Sequence, residues 1–387
     1  MRPHVLLVFE MRYEESTAML KGIVHFTRTH TPWESFHDDE GRAEHSPDWL
    51  HNRRWSGVIS RHTTPDFAKE CRELGIPLVD MNDTPIIPGV PKIRPDNRAL
   101  GHLAAEHFLE RGFRSFAFCG YANAPWACER RDGFLEALRL AGHPCEVYDT
   151  HHMEDPFPAW DGRTLGSLGL WLGRLRRPCA VLACNDYRAQ QVIYAAQHVG
   201  LSVPDDLAVL GINNDITRCD LSTPALSSVA TNGFQAGYHA AECLAALMAG
   251  REVAQMDQRI EGLGVVTRPS TDVLAIDDKQ MTTALALIRE KACAGLTVAD
   301  VLKHSFSSRS VLEKKFRRHL GRSPQAEIRR VQVSKIRQLL VETDLPLKKI
   351  AELTGFEHVE YLCVVFKRIA GEPPGAFRKR MQGELVG

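Results

Sequence analysis

The segment Ile350-Ala-Glu-Leu-Thr-Gly-Phe-Glu-His-Val-Glu-Tyr-Leu-Cys-Val-Val-Phe-Lys-Arg-Ile-Ala-Gly371 joins two short helical patterns through a single glycine. Residues Lys348–Thr354 predict a first helix, and His358–Ala370 predict a second helix with a basic C-terminal end. Gly355 supplies the permissive backbone that a tight turn between them needs. Three phenylalanines are expected to close a small core, namely Phe356, Phe366 and Phe377. This order of short helix, turn and basic helix is the helix-turn-helix arrangement.

The same pattern occurs a second time, upstream. Val298–His304 predicts a short helix and Arg309–Leu320 a basic one, whose Leu312 and Phe316 lie four residues apart on the apolar side. In this copy Phe306 stands where the turn glycine is expected. Further helices are predicted at Thr283–Ala292 and Pro324–Glu342. Residues 282–387 are thus predicted to form an all-α domain with two helix-turn-helix motifs, behind a linker at residues 276–281.

The basic charge of the chain is concentrated in this region. The 387 residues carry 48 Lys and Arg and 48 Asp and Glu, so the net charge is zero. Residues 282–387 hold 20 of the basic residues but only 11 of the acidic ones. A basic block behind an acidic body is typical of a nucleic-acid-binding module joined to another domain. The second helix of each motif is therefore expected to enter a DNA major groove.

The first 275 residues alternate short apolar runs with helical patterns. The predicted strands are His4–Phe9, Gly57–Ile59, Pro77–Asp80, Ser115–Cys119, Ala180–Ala183 and Leu207–Gly211. The predicted helices between them are Ser16–Thr29, Thr64–Leu74, Asp96–Arg111, Cys128–Ala141, Thr164–Arg174 and Tyr187–Val199. Such alternation predicts parallel sheets covered on both faces. We expect an α/β domain of two doubly wound lobes, divided at about residue 120, with a ligand cleft between them.

Polar and aromatic side chains cluster in the loops after the predicted strands. Planar amide, carboxylate and guanidinium groups bind hydroxyls, and aromatic rings cover C–H faces, so these loops favour a sugar pocket. The candidate ligand-binding residues are Asp96, Trp126, Arg130, Trp160, Asn185, Asn213 and Phe234. Other roles stay open for these residues. The aspartate also suits the cap of a helix, and the asparagines also suit turns. The aromatic rings also suit the core, and the arginine also suits the surface. The pair His151-His152 is not expected to hold a metal, because adjacent side chains of a strand point to opposite faces.

Two segments of this domain resemble a known family. Val203-Pro-Asp-Asp-Leu-Ala-Val-Leu-Gly-Ile-Asn-Asn214, which follows Asn185-Asp186, and the closing Val266-Thr-Arg-Pro-Ser-Thr271 resemble the effector domain of LacI/GalR repressors. The resemblance implies the fold of periplasmic sugar-binding proteins, with Arg130, Asn185 and Asn213 as sugar contacts. In that family an aspartate is common at the position of Asn213. The family's N-terminal DNA-binding headpiece is not expected here, because Met1 leads directly into the first strand.

The C-terminal region resembles a different family. Its second motif, from Ile350-Ala351 through Gly355-Phe356 and Phe366-Lys367 to Phe377-Arg378, is similar to the DNA-binding domain of AraC/XylS regulators. Within it, Cys363-Val-Val365 replaces a stretch that is usually more polar. Base-reading positions in the two motifs are then Arg309, Ser310, Lys314, His358, Val359 and Glu360. Phosphate contacts are expected from Lys315, Arg318, Lys367 and Arg368.

A LacI-like domain followed by an AraC-type domain resembles regulators of pentose use. This order implies a sugar-responsive, sequence-specific DNA-binding transcription regulator that activates its genes on binding D-xylose. A different sugar, or repression instead of activation, is the alternative. The implied partners are a double-stranded DNA operator with tandem half-sites about one helical turn apart, a second copy of the chain and RNA polymerase.

Other functional classes have less support in the sequence. No Gly-x-Gly-x-x-Gly follows a predicted strand, no P-loop pattern occurs and no nucleophile elbow can be assigned, so a sugar-active enzyme is a remote alternative. The longest apolar runs fall far short of the ~20 residues of a membrane helix. No secretory signal is recognisable, which opposes a transport protein. The ten cysteines are scattered without a Cys-x-x-Cys pair, as expected of a cytoplasmic protein with neither metal nor cofactor.

Overall fold

The computed structural model describes residues 2–11, 14–30, 32–39, 50–51, 53–82, 86–151, 162–253, 255–273, 278–305 and 308–382. The chain divides into two compact units. The first comprises residues 1–107 and 114–273, and the second comprises residues 108–113 and 274–387.

The first unit contains two six-stranded sheets. The strands of one sheet are β1 (His4–Val8), β2 (Glu34–Asp38), β3 (Gly57–Ser60), β4 (Leu78–Asp80), β5 (Lys92–Pro95) and β11 (Asp257–Ile260). They are all parallel and lie in the order β11-β5-β4-β3-β1-β2. The strands of the other are β6 (Phe116–Tyr121), β7 (Glu146–Thr150), β8 (Cys179–Ala183), β9 (Leu207–Asn213), β10 (Ser227–Ala230) and β12 (Gly264–Val266). Their order is β12-β10-β9-β8-β6-β7, and only the β10–β12 pair is antiparallel.

Helices cover these sheets, as the alternating sequence pattern predicts. They are α1 (Glu14–Thr29), α2 (Pro65–Glu73), α3 (Asn97–Leu109), α4 (Pro125–Leu140), α5 (Gly162–Arg174), α6 (Asp186–His198), α7 (Ile216–Leu221) and α8 (Gly233–Met248). Every residue of β3, β6 and β8 is buried. Strands enclosed on both faces explain why these segments are continuous apolar runs. The predicted α/β class is confirmed.

The two lobes are interleaved along the chain, so the predicted division at about residue 120 is wrong. The chain passes between the sheets three times: after β5, after β10 and between β11 and β12. Helix α8 returns to the first sheet because it packs closely on α1. A Cβ atom on Gly237 would lie 1.8 Å from the carbonyl oxygen of Met19, so the two helix backbones touch where only glycine fits.

The second unit is helical, with two helix-turn-helix motifs. Its helices are α9 (Lys279–Lys291), α10 (Val298–Ser305), α11 (Arg309–Leu320), α12 (Pro324–Glu342), α13 (Leu347–Leu353), α14 (Val359–Ala370) and α15 (Pro374–Gln382). Helix α9 begins inside the predicted linker, because the Asp278 carboxylate caps it by accepting hydrogen bonds from the N–H groups of Gln280 and Met281.

The turn of the second motif has the predicted geometry. Gly355 adopts φ +73°, and a Cβ atom there would lie 2.7 Å from the backbone nitrogen of Gly295. Both conformation and space therefore require glycine. The three predicted core phenylalanines are at most 5% exposed, and the Phe366 and Phe377 rings meet edge to face at 5.4 Å. Phe306, at the corresponding turn of the first motif, lies outside the described residues.

Candidate functional site

Two segments that follow strand ends, one from each sheet, meet in the first unit. Glu14 begins α1, just after β1 of the first sheet, whereas Ile216 begins α7, just after β9 of the second. The Glu14 carboxylate accepts a hydrogen bond of 2.7 Å from the backbone N–H of Ile216 and one of 3.3 Å from the hydroxyl of Thr217. This contact bridges the two lobes at the edge where ligands bind in open parallel sheets, and the cleft expected there stays a prediction.

Arg130 lies buried at this edge, with 2% of its surface exposed. Its Nε donates to the side-chain oxygen of Asn97 at 2.8 Å, and its Nη1 donates to the carbonyl oxygen of Cys184 at 2.7 Å. Among the described residues no protein acceptor is bonded to Nη2. The guanidinium carbon lies 5.0 Å from the centroid of the Trp126 ring. Arg130 is therefore held rigidly at this edge with donor capacity left for a ligand, and its contact with a sugar stays a prediction.

The segment that leaves β5 links Arg130 to the first sheet. Arg94 in β5 donates to Glu129 at 2.8 Å, and it also pairs with Asp257 of β11 at 2.9 Å. Asn97, at the start of α3, donates to the same Glu129 carboxylate at 3.4 Å and accepts from Arg130. Polar side chains thus connect one crossover between the lobes to the candidate ligand site.

The loop after β9 is fixed by a buried carboxyl group. Asp186 is 2% exposed and accepts hydrogen bonds from the Ser228 hydroxyl at 2.5 Å and the Asp215 N–H at 2.8 Å. Burial raises the pKa of Asp186 to about 7. Asn213, the last residue of β9, and Asn214, the first residue of the loop, have φ of +117° and +54°. The side-chain oxygen of Asn213 is buried and has no hydrogen-bond partner among the described residues, so it is a candidate acceptor for a ligand hydroxyl.

The structure assigns local roles to two other predicted ligand residues. Asn185 caps α6 by accepting a hydrogen bond of 2.8 Å from the N–H of Arg188. Asp96 accepts one of 3.0 Å from the N–H of Ala99 at the start of α3. Asp96 therefore plays the capping part that the sequence left open for it, whereas Asn185 caps a helix where the sequence had left a turn open. Their position at the carboxyl edge also keeps them near the candidate cleft.

The two predicted aromatic residues that the structure describes, Trp126 and Phe234, do not lie in one cluster. Trp126 is half-buried and lies beside Arg130, as expected of a residue at the cleft. The Phe234 ring instead packs 5.6 Å from that of His25 on α1. It lines a surface pocket with residues of that helix, and the described lining includes none of the other predicted ligand residues. Trp160 lies outside the described residues.

The second helix of the first motif exposes most of its predicted DNA contacts. Arg309, Ser310, Lys314 and Arg318 of α11 are exposed, while Leu312 and Phe316 are fully buried. Lys315 is different, because its Nζ lies 3.0 Å from Asp278 and 2.6 Å from the side-chain oxygen of Gln280. Lys315 thus holds α11 against α9, and its predicted phosphate contact stays a prediction.

The second motif presents α14 in the same way. Its buried face consists of Leu362, Val365 and Phe366. Four of the predicted contacts are exposed, namely His358, Glu360, Lys367 and Arg368. The fifth, Val359, is half-buried. A helix anchored on one side and basic on the other matches the recognition helix of a helix-turn-helix motif.

The described part of the chain contains neither a cluster of metal-ligating side chains nor a helix able to cross a membrane. No group of three or more His, Cys, Asp or Glu side chains is arranged to hold a metal ion there. His152 lies outside these residues, so the predicted absence of a histidine metal site stays a prediction. No helix in the described ranges has the length and hydropathy needed to cross a membrane. Burial raises the pKa of the Cys119 thiol, in keeping with the predicted structural role of the cysteines.

Comparison with known families agrees with this division. Residues 105–271 match the periplasmic binding protein-like domain family, and residues 301–380 match a helix-turn-helix domain family. The fold and the two motifs therefore define a ligand-responsive DNA-binding transcription regulator and not an enzyme, as predicted.

Several relatives match along nearly the whole chain. It is 28% identical to the xylose operon regulatory protein of Haemophilus influenzae over 97% of both chains. It is 29% identical to the xylose operon regulatory protein of Escherichia coli strain K12, again over 97% of both chains. Among solved structures it resembles a xylose-binding transcription activator with a TM-score of 0.60 and 28% identity, over 98% of both chains.

Several residues of the site were not selected from the sequence. Asn97 directly follows the selected Asp96, and Asp186 directly follows the selected Asn185. Each begins a helix that comes after a strand, and that position is the signal in the sequence that points to it. Glu14 had no such signal, because its partner Ile216 is 202 residues away. Its role depends on how the two lobes meet.

Proposed function

We propose that this protein is a D-xylose-responsive activator of pentose-use genes, in which sugar binding between the lobes controls DNA binding by the second unit. The observation that carries this proposal is the buried Arg130, held by Asn97 and the Cys184 carbonyl with Nη2 directed to no protein acceptor in the described residues. A guanidinium in that state suits a ligand rich in hydroxyl groups. The whole-length similarity to xylose operon regulatory proteins supports xylose among such ligands.

Sugar binding shifts the lobes toward the state that binds the ligand more tightly. A ligand changes such an equilibrium only by its difference in affinity for the two states. The Glu14–Ile216 contact bridges the lobes, and the proposal is that it forms in only one of the two states. Asn213 and Arg130 supply an acceptor and a donor that a sugar engages together.

DNA binding is proposed to involve both motifs and two copies of the chain. Two recognition helices per chain, α11 and α14, read tandem half-sites about one helical turn apart. Activation then requires contact with RNA polymerase. A cytoplasmic location is part of the proposal, because the operator DNA and RNA polymerase are found there. No further cofactor takes part.

Calorimetric titration of the full-length protein with a panel of sugars tests the effector. D-xylose is expected to bind, whereas D-glucose and D-ribose are expected to bind at least tenfold more weakly. Binding of another sugar in place of xylose would keep the regulator and reject the effector. A reporter gene behind the bound DNA distinguishes activation from repression, since xylose-dependent loss of transcription would contradict the proposed activator.

A further inference from the structure

The outward face of α14 carries apolar side chains in an otherwise basic unit. Tyr361 is 50% exposed and Val364 is 62% exposed. They lie three residues apart, on the side of the helix opposite the fully buried Leu362 and Phe366. Single exposed apolar residues are common on protein surfaces. Two neighbouring apolar side chains on the face that the motif presents to DNA are therefore candidates for contact with a base.

The Tyr361 ring is held in place from the neighbouring helix. The Arg329 guanidinium of α12 lies 5.0 Å from the Tyr361 ring centroid, and its Nη2 donates to the phenol oxygen at 3.4 Å. Arg329 also donates to the side-chain oxygen of Gln332 at 2.8 Å. Gln332 is 1% exposed and is itself bonded to two backbone carbonyls, those of Ala292 and Thr354. The exposed ring therefore has a buried support, which keeps it oriented before any partner binds.

Basic side chains follow the apolar pair along the helix. Lys367 and Arg368, one turn beyond Val364, are exposed and suited to phosphate. The recognition helix of the first motif differs, because its exposed N-terminal half presents Arg309 and Lys314. Cations of that kind favour guanine in the major groove. The two motifs thus present different chemistry to DNA.

We propose that α14 selects thymine, with Val364 and the Tyr361 ring packing against the C5-methyl groups of one or two thymines in its half-site. Thymine alone among the four bases displays a methyl group in the major groove, and apolar side chains are its complement. Lys367 and Arg368 fix the register of the helix on the phosphates. The inference rests on the proposed function, since it requires a sequence-specific operator.

Uracil substitution tests the assignment directly, because it removes the methyl group and keeps the base pair. An operator selected from random duplexes by the wild-type protein is remade with each thymine replaced in turn, and Kd is measured by fluorescence anisotropy at fixed salt. At one or two positions of one half-site, uracil is expected to weaken wild-type binding about fourfold, equivalent to ~0.8 kcal/mol for one buried carbon group. Val364→Ala should bind the thymine operator more weakly and lose nothing further on uracil at that position.

Val147→Ala is the matched control, since it makes the same truncation at an exposed site of β7 and should behave as the wild type. Equal uracil penalties in the wild type and in Val364→Ala at every position would overturn the thymine assignment. So would the absence of any uracil penalty. In both cases tight binding of the selected operator would leave the proposed function standing, whereas failure to select any operator would reject the function itself.

Discussion

Replacing Arg130 by alanine should abolish the sugar response while leaving DNA binding without sugar largely intact. Arg130 is buried at the carboxyl edge of the second sheet, where it donates to Asn97 and to the Cys184 carbonyl. The truncation removes the guanidinium that is proposed to bind the sugar. It also leaves two acceptors in the pocket without their donors.

The size of the effect follows from these bonds. Hydrogen bonds to a charged group contribute about 1.5–3 kcal/mol each. Losing one bond to the sugar therefore weakens sugar binding by about tenfold to 100-fold, and losing two weakens it by more than about 100-fold. Two acceptors left without donors lower the free energy of unfolding by about 2–5 kcal/mol in addition. Arg130→Lys should not restore sugar binding, because an ammonium group cannot reproduce the planar pair of bonds to Asn97 and Cys184.

Isothermal titration with D-xylose measures the first effect, and anisotropy on the operator measures DNA binding. Arg131→Ala is the matched control, because the adjacent arginine pairs with Asp149 at 2.6 Å and Asp132 at 3.2 Å instead of facing the site. The control should keep its xylose affinity within about threefold, since the pocket bonds remain. Arg130→Ala with an unchanged xylose Kd would refute the pocket assignment.

Three further changes test other parts of the structure. Glu14→Ala removes the bridge between the lobes and should weaken xylose binding about fivefold in calorimetry. The reason is that a carboxylate at a helix N-terminus contributes about 0.3–1 kcal/mol beyond its hydrogen bonds. An unchanged xylose affinity would show that the bridge does not favour the bound state. Gly355→Ala should destabilise the second unit by about 1–3 kcal/mol more than Gly371→Ala does, as measured by hydrogen exchange. Both glycines have positive φ, but only a Cβ at position 355 meets backbone atoms. Equal losses of stability in the two variants would argue against the close contact. Asp186 keeps an extra proton in the folded state between its ordinary pKa of 3.8 and about 7, so wild-type stability should fall as pH rises through that window. In urea unfolding followed by tryptophan fluorescence, the free energy of unfolding of Asp186→Asn should depend less on pH than that of the wild type. An unaltered slope would mean that the Asp186 carboxyl group does not cause the pH dependence of stability.

The elements that the sequence predicts well are those with local causes. Apolar strands such as β1 and β8 are buried on both faces, and Gly355 occupies a turn that only glycine fits. Strand β5 was not predicted because it contains Lys92 and Arg94, yet both are buried. Their charges are neutralised by distant residues, Lys92 by Asp80 at 2.8 Å and Arg94 by Asp257, and no local pattern reveals such pairs.

The candidate site shows the same limit. Arg130 was identified from its sequence context, whereas its supporting Asn97 and the bridging Glu14 depend on contacts between segments far apart in the chain. Lys315 was assigned to phosphate because it lies on a basic helix, but the ion pair with Asp278 depends on how α9 packs against α11. Sequence pattern thus locates the helix and its charge, while packing decides which cations stay exposed.

The most direct test of the central claim is a linkage measurement on the full-length protein. The operator Kd is measured with and without saturating D-xylose, and the xylose Kd is measured with and without saturating operator, all at one salt concentration. Coupling between two sites is reciprocal, so both ratios should agree, and we expect a change of at least about fivefold in the direction of tighter binding. Operator binding that ignores xylose while xylose still binds, or xylose binding that ignores the operator, would contradict the account.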